Sequence, residues 1–149
     1  MLMDEVDFQI LDILMRNSRA TYREISEKIK ISEVAVHKRI KKLGGVIKSF
    51  TILVDQRALG KETTAILMLK CEVGKTKEIA EKLSHVEDIT EVYTTLGEYD
   101  LIAKIRTRDT HTLKKLVEKK ISMLEGITEI RASIVFECFK EEPNLILCP

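Results

Sequence analysis

The 149-residue chain has no apolar run approaching the roughly 18 residues that a bilayer-spanning helix needs, so no membrane segment is expected. Its first residues, MLMDEVDFQ, are acidic and lack the apolar stretch of a signal peptide, which makes a cytoplasmic location the expectation. Cysteine is scarce: Cys71, Cys138 and Cys148 are odd in number, widely spaced and form no C-x-x-C pair. Neither a disulfide framework nor a zinc site is expected; small buried hydrophobes in a reducing compartment are. The three histidines, His37, His85 and His111, fall in different segments, and none pairs with a cysteine at motif spacing. No G-x-x-x-x-G-K phosphate loop occurs, and the adjacent carboxylates Glu87 and Asp88 fall in a polar turn where solvated charge is ordinary. With no catalytic constellation, no metal site and no cofactor motif, an enzyme is not expected.

What is present is an ordinary globular composition, 44% hydrophobic and 33% charged, with a net charge of only +1. That balance conceals an asymmetry. Residues 1–60 hold 11 Lys/Arg against 8 Asp/Glu, and residues 61–149 hold 14 against 16. A basic first part and a slightly acidic second part predict two domains with different partners.

Hydrophobic periodicity separates the same two parts. Val6, Ile10, Ile13 and Leu14 recur at helical spacing and predict a first amphipathic helix, which Asp4 can cap. Thr21 and Glu24 make a T-x-x-E capping box for a second helix over about 21–30, with Ile25 and Ile29 on one face. Ser32 caps a third, whose stripe is Val36, Ile40 and Leu43 and which stops at Gly44–Gly45. The period then changes to two, and VIKSFTILVD, residues 46–55, reads as a strand followed by a polar hinge, QRALGKET. Beyond it the order is strand, helix, strand, strand, helix, strand. The elements are TAILMLKCEV, TKEIAEKLSHV, EVYTTL and LIAKIR joined at GEYD, residues 109–124, and ITEIRASIVFECF, with NLILC as a candidate short last strand. This pattern predicts an α+β protein: a helix-turn-helix over 1–45, a strand and hinge over 46–62, and a ferredoxin-like βαββαβ sandwich over 63–149. The sandwich leaves one sheet face uncovered, with Ile66, Met68, Ile102 and Val135 interleaved with Lys70, Lys104 and Arg106. A surface that apolar predicts a homodimer.

The segment SEVAVHKRIKKL, residues 32–43, gathers four cations in twelve residues. In a helix-turn-helix this second helix enters the DNA major groove. With Val36, Ile40 and Leu43 turned inward, the outer side carries Glu33, Val34, His37, Lys38 and Lys41, while Arg39 and Lys42 lie on the flanks, within reach of phosphates. Glu33 and His37 sit where base contacts occur, and Val34 could touch a thymine methyl. Ser32, at the cap, and Thr21, Tyr22 and Arg23, at the start of the preceding helix, complete the expected duplex DNA contact set. A lysine-rich helix face is also commonly just solvated; the tri-helical context favours DNA.

At this point the chain resembles the Lrp/AsnC, or feast/famine, family of prokaryotic transcription regulators over nearly its whole length. M-D-E-V-D-F-Q-I-L-D-I-L resembles the family's opening helix, N-S-R-A-T-Y-R-E-I its link into the second helix, and I-S-E-V-A-V-H-K-R-I-K-K-L its recognition helix. G-V-I-K-S-F resembles the strand that follows, and L-G-E-Y-D-L-I the hairpin of the regulatory domain. The resemblance implies DNA binding by the first domain, dimers assembling to higher oligomers through the second, and a small-molecule effector, usually an amino acid. It implies that Gly97, Glu98, Tyr99 and Asp100 contribute to that effector site and that Ser133 faces the same cleft. Read by themselves, these residues suit either purpose: Asp100 could pair with an α-amino group, and G-E-Y-D is also a good plain hairpin turn. The turn between the third helix and Gly45–Val46–Ile47 is shorter than is usual in the family. A protein that organises DNA without sensing any effector is the alternative.

Overall fold

The computed structural model describes residues 2–144. The chain divides into two compact units, the first reaching to Leu53 and the second running from Val54 to Phe139.

The first unit contains three helices, each started by a side-chain cap. Asp4 and Asp7 form a reciprocal capping box at the head of α1 (Glu5–Arg16). Thr21 and Glu24 form another at the head of α2 (Tyr22–Ile29), with Glu24 N–H donating to Thr21 Oγ1 at 3.2 Å and Thr21 N–H to Glu24 Oε2 at 2.7 Å. Ser32 Oγ accepts from Ala35 N–H at 3.1 Å and opens α3 (Glu33–Lys42). Each cap satisfies amides that a helix start leaves without partners. The sharp turn from α2 to α3 is made by Lys30, a non-glycine residue in the left-handed region at φ 61°, whose N–H donates to Ser26 O. Ile10, Ile13, Leu14, Ile25, Val36 and Leu43 form the buried core, with Ile29 and Ile40 packed against it. Burial of each such side chain stabilises by roughly 1.5–3 kcal/mol. A 3₁₀ turn, Leu43–Gly45, ends α3.

Residues 46–55 do not form the expected strand. The Val46 and Ile47 amides both donate to Leu43 O, no residue of the segment joins a strand ladder among the described residues, and Phe50, Ile52 and Leu53 are each more than half exposed. Strand propensity supplies shape, but a strand exists only when a neighbour takes its backbone hydrogen bonds, and one chain offers none here.

The second unit is a four-stranded antiparallel sheet in the order β2-β3-β1-β4, with two helices on one face. Its elements are β1 (Thr63–Cys71), α4 (Thr76–Ser84), β2 (Ile89–Thr94), β3 (Leu101–Thr107), α5 (Thr110–Leu116) and β4 (Ile127–Ile134). Alternate residues of β1 and β3, namely Ala65, Leu67, Leu69, Leu101, Ala103 and Ile105, meet Ile79, Leu83, Leu113, Leu116 and Ile121 in the core. The expected second helix over 109–124 is regular only to Leu116. Val117–Ile121 is a wider π-helical turn in which Ser122 N–H reaches back five residues to Val117 O at 2.8 Å. On a regular helix, positions eight apart drift by about 80°. The widened turn takes up part of that drift, and Leu113 and Ile121 both stay buried. The last long strand is shorter than expected, ending at Ile134, with Val135 N–H still donating to Thr64 O at 2.8 Å. The expected short strand NLILC, with Cys148, lies outside the described residues but for Asn144.

Candidate nucleic-acid interface and effector turn

In α3 the inward stripe is as the periodicity predicts, with Val36 and Leu43 fully buried. Glu33, Val34, His37, Lys38 and Lys41 are exposed on the other side, and none of the charged ones among them forms an ion pair among the described residues. The Tyr22 ring lies 5.4 Å from the His37 ring, tilted by 45°, and so links the head of α2 to the outer side of α3. Arg23 pairs with Glu27 at 3.0 Å on an open helix surface. Such an i,i+4 contact is worth only about 0.3–0.5 kcal/mol and yields readily to a phosphate.

Two of the expected phosphate contacts are placed otherwise. Arg39 Nη1 lies 2.7 Å from both carboxylate oxygens of Asp4 and 2.7 Å from Asp7 Oδ1. Lys42 Nζ lies 3.1 Å from Asp7 Oδ2. The Asp7 side chain has no exposed surface, and a buried carboxylate must be compensated. Burial alone would raise its pKa, but hydrogen bonds from Arg39, the Asp4 amide and Lys42 outweigh that and hold it below the ordinary value. The Arg39 guanidinium holds Asp4 low in the same way. Arg39 and Lys42 therefore clamp α3 to the head of α1, and the outward ridge reduces to Lys38 and Lys41. Asp7 escaped the sequence reading, although it shares a stripe with Ile10 and Leu14 and repeats the capping spacing with Asp4.

The GEYD turn closes the β2–β3 hairpin. Thr95 N–H donates to Asp100 O at 2.9 Å, and Asp100 N–H donates to Leu69 O at 2.9 Å. Asp100 Oδ2 accepts from Cys71 N–H at 2.8 Å, where the register between β1 and β4 shifts. One carboxylate oxygen is thus already committed to the backbone. Gly97 has no positive φ, and a Cβ there would meet nothing within 4 Å, so nothing within the chain itself requires glycine.

Tyr99 is the centre of a charged cluster on the uncovered sheet face. Its ring lies 5.2 Å from Lys70 Nζ and 5.7 Å from Arg131 Cζ, and its hydroxyl donates to Glu129 Oε1 at 3.2 Å. Lys70 also pairs with Glu129 at 3.3 Å and with Glu98 at 3.8 Å. Partial burial and the Glu129 carboxylate both push the Tyr99 phenol upward. Ser133 is on the same face but pairs with Ile66, whereas Glu129 pairs with Lys70. Four residues along one strand is about 13 Å, so within one chain Ser133 does not join this cluster; Arg131 and Glu129 do. Register, which the sequence does not announce, decides that. A cleft of about 620 Å³ in the first unit, lined by Glu5, Phe8, Gln9, Asp12, Ile13, Lys28 and Ile29, contains none of the expected site residues.

The family model of the AsnC-type helix-turn-helix domain matches residues 3–43, and that of the Lrp/AsnC ligand binding domain matches residues 64–145. The HTH-type transcriptional regulator FL11 of Pyrococcus furiosus is 36% identical over 146 residues, covering 97% of this chain and 96% of that one. The HTH-type transcriptional regulator LrpA of Pyrococcus horikoshii is 35% identical over 141 residues, 93% of this chain and all of the relative. Among solved structures, E. coli AsnC superposes with a TM-score of 0.89 at 26% identity, covering 95% of this chain and 97% of that chain. A transcriptional regulator of Neisseria meningitidis in complex with L-Met superposes with a TM-score of 0.91 at 20% identity, covering 97% and 96%, a likeness of fold.

Proposed function

Since the chain belongs to the Lrp/AsnC family of HTH-type transcriptional regulators, we propose that it reads duplex DNA with the outer side of α3 and answers to an amino acid near Gly97–Asp100. The observation that carries the DNA reading is the division of α3: the apolar stripe turns inward, Arg39 and Lys42 are held by carboxylates, and Glu33, Val34, His37, Lys38 and Lys41 are exposed with no ion pair among the described residues. Lys38 and Lys41 neutralise phosphates; Glu33, Val34 and His37 meet base edges; Ser32, Thr21, Tyr22 and Arg23 border the backbone. The uncovered sheet face supports a homodimer, which would set two α3 helices into grooves about one helical turn apart. For the effector, the paired charges around Tyr99 offer both signs to a zwitterion, and a glycine unneeded by its own chain leaves room beside it.

Fluorescence anisotropy on duplex DNA from upstream of the protein's own gene, at several salt concentrations with and without each amino acid, tests both parts. Lys38→Ala with Lys41→Ala is expected to flatten the plot of log K against log salt by about 2 per protomer. An unchanged slope would defeat the α3 assignment. No response to any amino acid would favour the effector-free alternative, in which the protein only organises DNA.

A further inference from the structure

The second unit is slightly acidic, with 14 Lys/Arg against 15 Asp/Glu over residues 54–139. Its positive charge is nevertheless uneven. Lys114, Lys115, Lys119 and Lys120 fall within seven residues of α5 and its π turn, with Glu118 the sole acid among them. All four are exposed. Of the ten lysines in this unit, Lys61, Lys70, Lys75, Lys82, Lys104 and Lys114 form ion pairs, the last with Glu118 at 3.8 Å. Of the four that form none among the described residues, three are Lys115, Lys119 and Lys120; the fourth is Lys77. Nearly every other lysine here forms an ion pair, so the lack of one at Lys115, Lys119 and Lys120 among the described residues is local. The π turn adds to it. By widening the helix it brings Lys119 closer to the line of Lys115 and His111, while Leu113 and Ile121 remain in the core.

We propose that this lysine face is a second contact surface for duplex DNA, independent of sequence, that engages the phosphate backbone. The inference rests on the reading that the protein binds DNA through α3. Free ammonium groups on a helix present no fixed geometry for base edges but suit phosphates as point charges. DNA held by α3 raises the local concentration of phosphate for any other cationic surface of the same assembly. The surface also supplies what α3 lacks, since two of the four cations of α3 are taken up by Asp4 and Asp7.

The test is a salt titration of full-length protein on a mixed-sequence duplex of about 60 base pairs, several helical turns long. Lys115→Gln, Lys119→Gln and Lys120→Gln together are expected to reduce the salt slope by about 2.7 per protomer, so that for each protomer engaged doubling the salt weakens the variant about sixfold less than the wild type. The matching arginine triple should restore the slope. Lys75→Gln, Lys77→Gln and Lys82→Gln, at the cap of α4 and on it, remove the same net charge and should leave it unchanged. A glutamine triple with the wild-type slope would overturn the proposal, and so would an equal fall from the α4 set, because net charge alone would then account for it. If the wild type binds no duplex, the DNA reading fails and takes this one with it. If Lys38→Ala with Lys41→Ala flattens the slope and the α5 triple does not, only this inference falls.

Discussion

Asp7→Asn isolates the carboxylate that ties α3 to α1. The change is nearly isosteric, so packing is kept while the charge is lost. Asp7 accepts from Arg39 at 2.7 Å, from Lys42 at 3.1 Å and from the Asp4 amide at 3.1 Å. A hydrogen bond to a charged group contributes about 1.5–3 kcal/mol. Two such bonds are weakened, but Arg39 keeps Asp4 and the half-exposed Lys42 can return to water, so the net cost is about 2–3 kcal/mol. Amide hydrogen exchange over α1 and α3 reads that cost without requiring both units to unfold together. Protection should fall on the order of 30- to 150-fold at neutral pH. Because the Asp7 carboxyl titrates below its ordinary value of 3.8 when folded, its contribution is complete above that value and fades as pH falls below it. The gap between variant and wild type must therefore shrink in acid. Protection within about twofold of wild type at neutral pH would refute the clamp and return Arg39 and Lys42 to the pool of phosphate contacts.

Three further outcomes are expected. Gly126 sits at φ 94°, and a Cβ there would come within 2.9 Å of Lys75 Cβ, so Gly126→Ala should destabilise the second unit by about 2–3 kcal/mol in denaturant titration. Asp109 caps α5 by accepting from Thr112 N–H at 2.7 Å, which lowers its carboxyl to about 2; NMR should place its midpoint there, with its share of stability present above 3.8 and lost as pH falls toward 2. Asp100→Ala removes the acceptor for Cys71 N–H and should cost about 1 kcal/mol while abolishing any amino-acid response and sparing binding to a single DNA site; loss of both functions together would contradict their separation.

The parts of the fold that were legible are those whose causes are local. Caps at Asp4, Thr21 and Ser32 lie within a few residues of the amides they satisfy, and the stripes of α2 and α3 recur within one or two turns. What escaped depends on residues far apart. Arg39 reads as a free cation until Asp7, 32 positions earlier, is folded against it. The resemblance puts Ser133 in the effector cleft, but only the register of β1 and β4 reveals that within one chain Arg131 and Glu129 lie beside Tyr99 while Ser133 pairs with Ile66. Residues 46–55 have strand composition, yet composition cannot supply the missing neighbour. The π turn left a trace in the four-residue spacing of Leu113, Val117 and Ile121, which a regular helix would turn partly out of the core.

The exposed stretch around Phe50, Ile52 and Leu53 also bears on how long a single chain survives. Backbone that lies outside any helix or strand and carries exposed apolar side chains is what proteases grip and quality-control systems recognise. A chain that stays alone is the more readily nicked there, and one that buries the stretch against another surface is shielded. Cellular abundance would then depend on how fast chains find that cover as well as on the folding stability of each unit.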